Sequence, residues 1–314
     1  MAALALAALQ LVVLVSLAVA GPDSDPHRAP LAIVAPPVVA KVLVDQMDAG
    51  PGRPIDAGAL STAADARAGV RDGRVVAAVV VDLAADGDIL YVTSARGMGL
   101  VTAVRRPVAA AESPFGRSTT VRDLVPARDG DRGARGVFAI VGVAVLLGFI
   151  VPIVITWLRG PVARTFALGS LRVIIVVAVS ILLGLVAAVA GSARYDGGPG
   201  TWWLIGTLAV LAVATTTMAL ESVFGVLGIG LASTLFVLLG APLVRLTDPL
   251  LLPQPWATIT PWMPIGAALD AATGQAYFEG PDRRPLLVLT TWIVLAVLVM
   301  VIARRERVRD GVTV

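Results

Sequence analysis

Six uninterrupted apolar runs divide the chain: Ala2–Ala20, Val137–Leu158, Val173–Ala190, Thr201–Phe224, Gly225–Leu243 and Leu286–Ala303. Each is about 18–24 residues long, and a helix needs about 20 to cross the hydrocarbon core of a bilayer. With no water in that core, a spanning segment must satisfy its own backbone groups, so helices are the expected form. The pattern predicts a mainly α, polytopic membrane protein with six transmembrane helices embedded in the lipid bilayer. A first helix over 1–20 precedes a polar domain over 21–136, and a five-helix membrane domain follows over 137–314.

Within 21–136 the pattern shortens. Leu31–Ala35 reads as an apolar strand, and Pro36–Met47 is amphipathic until Asp48-Ala49-Gly50-Pro51-Gly52 breaks it. Ala63–Arg71 has helical composition and stops at Asp72-Gly73. Val75–Leu83 and Ile89–Thr93 are β-branched, and Arg96–Ala111 reads as helical. Alternating strands and helices predict a small α/β domain.

A second irregularity lies before the last run. Pro249–Gly280 is too apolar for a solvated loop, and Trp256, Trp262, Tyr277 and Phe278 suit a membrane interface. Pro261 and Pro264 punctuate a first short helix, and Ile265–Tyr277 can form a second. One reading is a re-entrant element over about 250–280 that caps an exit path, with Asp270 as its most notable polar residue. The other is a plain interfacial helix.

Charge sets the orientation. Positive residues collect on the cytoplasmic side of short loops. Arg159, Arg164 and Arg172 flank the link after the second run, and Arg304, Arg305, Arg307 and Arg309 follow the last one. Both segments are expected to be cytoplasmic, which puts both termini inside and 21–136 outside a multi-pass protein of the cell membrane. The 21–136 segment carries 14 basic and 14 acidic residues, a mixture that reads as a solvated face. Ala18-Val19-Ala20 also resembles a signal-peptidase site, although no basic region precedes it. A retained first helix is expected, with a cleaved signal as the alternative.

Composition narrows the chemistry. The chain is 57% hydrophobic and 15% charged, and its net charge of +3 is too small and scattered for a nucleic-acid footprint. It has no cysteine and a single histidine, His27, in a Pro-rich linker, so thiol chemistry and zinc-protease motifs are excluded. Lys41, the only lysine, lies in Val39-Ala40-Lys41-Val42, which is no phosphate loop. There is no Gly-x-Ser-x-Gly elbow, and Tyr195-Asp196 reads as part of a turn. The expectation is a protein without catalytic residues, cofactor or metal.

Polar residues of the membrane half are few. Glu221 is the only acid inside an apolar run. A carboxylate at that depth is costly and usually functional, but a turn near Glu221 is expected to leave it solvated at the cytoplasmic surface. Thr215-Thr216-Thr217 suits helix packing, as do the small-residue faces Gly184-x-x-x-Ala188 and Gly228-x-x-x-Ala232. Pro152 is expected to kink the second helix. Phe166, Leu168 and Leu171 give the Arg159–Arg172 link an apolar face, which suits an interfacial helix with arginines on lipid headgroups.

Three segments together carry a family resemblance: Asp65-Ala66-Arg67-Ala68-Gly69-Val70-Arg71-Asp72-Gly73, the junction Val121-Arg122-Asp123-Leu124-Val125-Pro126, and Trp256–Asp270 continuing to Tyr277-Phe278-Glu279-Gly280. The chain resembles ABC-2 type permeases of the phage-infection-protein-like branch. The likeness is diffuse, covers nearly the whole chain and brings no catalytic signature. It departs from the family in having no basic residues before the first run. The resemblance implies a type II exporter membrane fold, with an external domain between the first two helices and a re-entrant pair before the last. It implies a permease subunit that dimerises or pairs with another permease and exports a hydrophobic or amphiphilic substrate, with ATP hydrolysis on a separate ATP-binding cassette chain. In that fold the link carrying Arg159, Arg164, Phe166 and Arg172 is the coupling element. Glu221, Trp256, Trp262 and Asp270 are then the candidate translocation or gating residues. Two other functions remain open on the residues alone: a non-enzymatic envelope protein whose external domain binds a partner, cell-wall component or phage, and an ion- or proton-coupled exporter.

Overall fold

Two alternating patterns in sequence become two bodies in space, a small sheet flanked by helices and a bundle of long apolar helices. The computed structural model describes residues 6–8, 10–12, 15, 25–48, 52–85, 87–131, 135–160, 166–238, 248–252 and 254–309. The α/β unit runs β1 (Ala29–Val34), α1 (Pro37–Asp48), β2 (Ile55–Ala59), α2 (Ala63–Arg71), β3 (Ala77–Val80), β4 (Gly87–Val92), α3 (Met98–Glu112) and β5 (Ser118–Asp123). The strand order is β2-β1-β3-β4-β5. β1 is parallel to both β2 and β3, β3 and β4 are antiparallel, and β4 and β5 are parallel.

Side chains alternate across the sheet with the period of two that a pleated strand imposes. Leu31, Ile33, Val79, Leu90 and Val92 face α1 and α3, where Leu43, Met47, Leu100 and Val104 complete one core. Ala32, Ala78 and Tyr91 face the other way, onto Ala66 and Val70 of α2. Helix α2 has the bounds expected from sequence because both ends are set locally. The Asp65 N–H donates to the Thr62 hydroxyl oxygen at 3.0 Å, and Gly73 turns the chain at φ +74°. The expected Val75–Leu83 strand is confined to Ala77–Val80, and the edge strands β2 and β5 were not expected at all. Ile-Asp-Ala-Gly-Ala and Ser-Thr-Thr-Val-Arg-Asp carry too little apolar alternation to announce themselves.

The helical body contains α4 (Arg135–Arg159), α5 (Phe166–Arg194), α6 (Pro199–Phe224), α7 (Val226–Ser233), α8 (Trp256–Ile259), α9 (Pro264–Tyr277) and α10 (Arg283–Arg309). Helix α7 continues as one π-helical turn, Thr234–Leu238. Four helices are long and apolar enough among the described residues to cross a membrane: α4, α5, α6 and α10. The first apolar run is described only at residues 6–8, 10–12 and 15, and the fifth only to Leu238. Helix α6 is central. In its most apolar stretch 61% is buried, against 22–28% in the other three, and it packs on α4, α5, α7, α9 and α10.

Small residues allow that centrality. A Cβ on Gly184 of α5 would lie 2.8 Å from the Trp203 carbonyl oxygen of α6. One on Gly148 of α4 would lie 2.8 Å from the Val210 carbonyl oxygen. Close backbone approach of this kind replaces the hydrophobic drive that lipid cannot supply. The starts of α4, α6 and α10 and the end of α5 gather beneath the α/β unit. We call this the domain end of the bundle and the opposite one the far end.

Candidate functional site

Polar side chains concentrate at the two ends of the α4–α5–α6 set. At the domain end the centre is Asp131, fully buried just before α4. The Gly136 N–H donates to its Oδ1 at 2.7 Å. The Tyr277 hydroxyl, from the end of α9, donates to Oδ2 at 2.6 Å. The Tyr195 hydroxyl, from the α5–α6 turn, donates to the same oxygen. Arg194 lies 4.0 Å from Oδ1. Burial alone would push the Asp131 carboxyl up, but the two phenols, the Gly136 N–H and Arg194 outweigh it and hold it below the usual carboxylate range. Burial, with the hydrogen bond to Asp131, pushes the Tyr195 phenol well up. Tyr195 stacks on Trp202 at 5.6 Å and meets Tyr277 edge-on at 5.6 Å. One carboxylate thereby joins the linker from the α/β unit, the α5–α6 turn and α9.

The segment before α10 is held between the two bodies. Leu251 is buried in the α/β core beside α3, and the His27 N–H donates to the Leu250 carbonyl at 2.8 Å. The Arg96 guanidinium sits 5.7 Å over the Phe278 ring and 3.9 Å from Asp270. Helix α9 itself enters the bundle. Its Ala272 lines a small cavity with Val141 and Ala144 of α4, Ala187 of α5 and Ile205 and Ala209 of α6. Ala144 and Ala209 lie about 14–15 Å along their helices at 1.5 Å per residue, so α9 reaches well below the domain end.

At the far end three helices contribute. Glu221 of α6 is 3% exposed, and the Thr156 hydroxyl of α4 donates to its Oε2 at 2.7 Å. Arg172 of α5 is 6% exposed and donates from Nη2 to the carbonyl of Arg159, the last residue of α4, at 2.9 Å. Glu221 Oε1 and Arg172 Nε are buried with no hydrogen-bond partner.

The residues singled out from sequence separate accordingly. Arg159, Arg172 and Glu221 come together, whereas Arg164 lies outside the described residues and Phe166 is described only as the first residue of α5. Glu221 is buried, not solvated as expected. The chain turns at Gly225 (φ +60°) and α7 returns so tightly that a Cβ on Gly228 would lie 2.5 Å from the Glu221 nitrogen. Trp256 is half-buried against the helical core. Trp262 is 57% exposed, carries the Arg284 guanidinium 4.6 Å over its ring and accepts the Trp292 indole N–H at its carbonyl at 2.8 Å. Asp270 is half-exposed and answers to Arg96.

Asp131, Tyr277 and Thr156 were not singled out as polar centres, and Tyr195 was read as a turn residue. Asp131 is one acid among many in a mixed-charge stretch, and Thr156 is a lone hydroxyl in an apolar run. The one available signal was the pair of tyrosines at element ends, since a buried phenol needs a polar partner. Comparison with protein-family models, with characterised proteins and with solved structures finds no match to this chain.

Proposed function

We propose that the chain is the membrane subunit of an ABC-2-like export system in the cell membrane. It works as a homodimer or beside a second permease, moves a hydrophobic or amphiphilic substrate, and takes its energy from an ATPase on a separate chain. The observation that carries this reading is α9, which follows the short α8 and enters the bundle between α4, α6 and α10 directly under the α/β unit. A broken helical pair at membrane depth is tolerated only where protein covers it or a cavity opens beside it. That is the form an exit cap would take.

Chain direction supports six crossings with the α/β unit outside. Leu6 and Gln10 of the first run meet α7 at Gly230, four residues past its start at the far end; the Gln10 side-chain amide donates to the Gly230 carbonyl at 3.2 Å. His27, by contrast, is at the domain end beside Leu250. That separation of Gln10 from His27, and of the start of α7 from Asp248, supports a crossing by the first run and another after Val226.

A second reading has its own observation. Glu221 is a buried carboxylate near the inner end of the central helix, as an ion- or proton-coupled exporter would need. Affinity purification from its own membranes decides between them. The first reading expects a cassette ATPase to co-purify, with ATP hydrolysis lost when that partner's phosphate-loop lysine is replaced. Purified protein that carries no ATPase, and transport that persists without ATP, would overturn it.

A further inference from the structure

The far-end cluster has a cost that packing does not explain. Glu221 and Arg172 are both buried, and burying a charge is costly unless it is paired and hydrogen-bonded. Neither is fully satisfied here, because Glu221 Oε1 and Arg172 Nε both lack partners. What the cluster does accomplish is connection. Arg172 lies in the second turn of α5, yet it holds the last carbonyl of α4 at Arg159. A cation at a helix C-terminus also complements the helix dipole. The two ends of the 159–172 turn are thus clipped together. Thr156, one helical turn before Arg159, is bonded to Glu221. Glu221 belongs to α6, which touches every other long helix of the bundle.

We propose that Thr156, Arg172 and Glu221 form a buried polar latch that ties the start of α5 to the end of α4 and the end of α4 to the central helix, so that displacement of the start of α5 moves α6. The three act as positioning residues. The latch follows from the contacts themselves, and only the identity of what pushes the turn rests on the export reading.

The chain has no cysteine, so single cysteines report cleanly. Ala167→Cys places an exposed thiol in the first turn of α5, and Ser192→Cys places one at the opposite end of the same helix. Maleimide labelling is followed in the purified full-length protein. Thr156→Val and Glu221→Leu are each expected to raise the labelling rate at position 167 about fivefold, the effect of losing one interhelical polar contact. The rate at 192 stays unchanged, and Thr156→Ser, which keeps the hydroxyl, restores the original rate at 167. Unchanged labelling at 167 in both variants overturns the latch, as does an equal rise at 192, which would signal general loosening. If labelling responds as expected while no ATPase co-purifies, the latch stands and the export reading falls. If an ATPase binds and labelling does not respond, the latch alone falls.

Discussion

Replacing Asp131 with asparagine tests whether one carboxylate holds the α/β unit to the helices. Asparagine keeps the shape but turns one acceptor oxygen into an amide donor, which must then face a phenol or the Gly136 N–H. A hydrogen bond to a charged group contributes about 1.5–3 kcal/mol, and a buried donor left unmade costs about 1–3 kcal/mol. Asp131→Asn should therefore cost about 2 kcal/mol. Asp131→Ala, which strands both phenols and the N–H, should cost about 4 kcal/mol. Tyr277→Phe removes one donor and leaves Tyr195 in place, for about 1.5 kcal/mol. Thermal unfolding in detergent, followed by tryptophan fluorescence, suits the question because Trp202 stacks on Tyr195.

The pH dependence supplies a second arm. The folded-state pKa of Asp131 lies below its ordinary value of 3.8, so its stabilisation is complete above that value and is lost as pH falls through the lower folded value. The parent should lose stability from this site between roughly pH 5 and the lower folded value, and Asp131→Asn should lack that component. An asparagine variant that melts with the parent at neutral pH and shows the same acid limb would refute the argument.

Two further outcomes follow from the same geometry. In intact cells, an impermeant thiol reagent should label Ser61→Cys and leave Thr313→Cys protected; the opposite pattern would reverse the topology. Gly266→Trp should destabilise the bundle by at least the about 1–3 kcal/mol of core overpacking, since a Cβ there would lie 2.7 Å from the Thr260 carbonyl carbon. Gly200→Trp, where nothing lies within 4 Å, should melt near the parent, and equal melting of the two variants would dislodge the picture of α9 as an inserted helix.

The sequence by itself determined whatever depends on neighbours along the chain. A stretch of about twenty apolar residues is a local property, so α4, α5, α6 and α10 were legible as helices long enough to cross a membrane. Thr62, Asp65 and Gly73 are neighbours of the helix they bound, so α2 was legible to the residue. The proline spacing after Pro249 was enough to expect two short helices. Tertiary structure alone decided the rest. Strands β2 and β5 exist only because β1 and β4 offer them backbone partners. Tyr195 and Tyr277 lie 64 and 146 residues from Asp131, and no pattern along the chain measures that approach. Glu221 shows the same limit from the other side. Whether a carboxylate near a helix end is solvated depends on what packs over it, and here the tight return at Gly225 and Gly228 brings α7 over it while Thr156 of α4 takes up one oxygen.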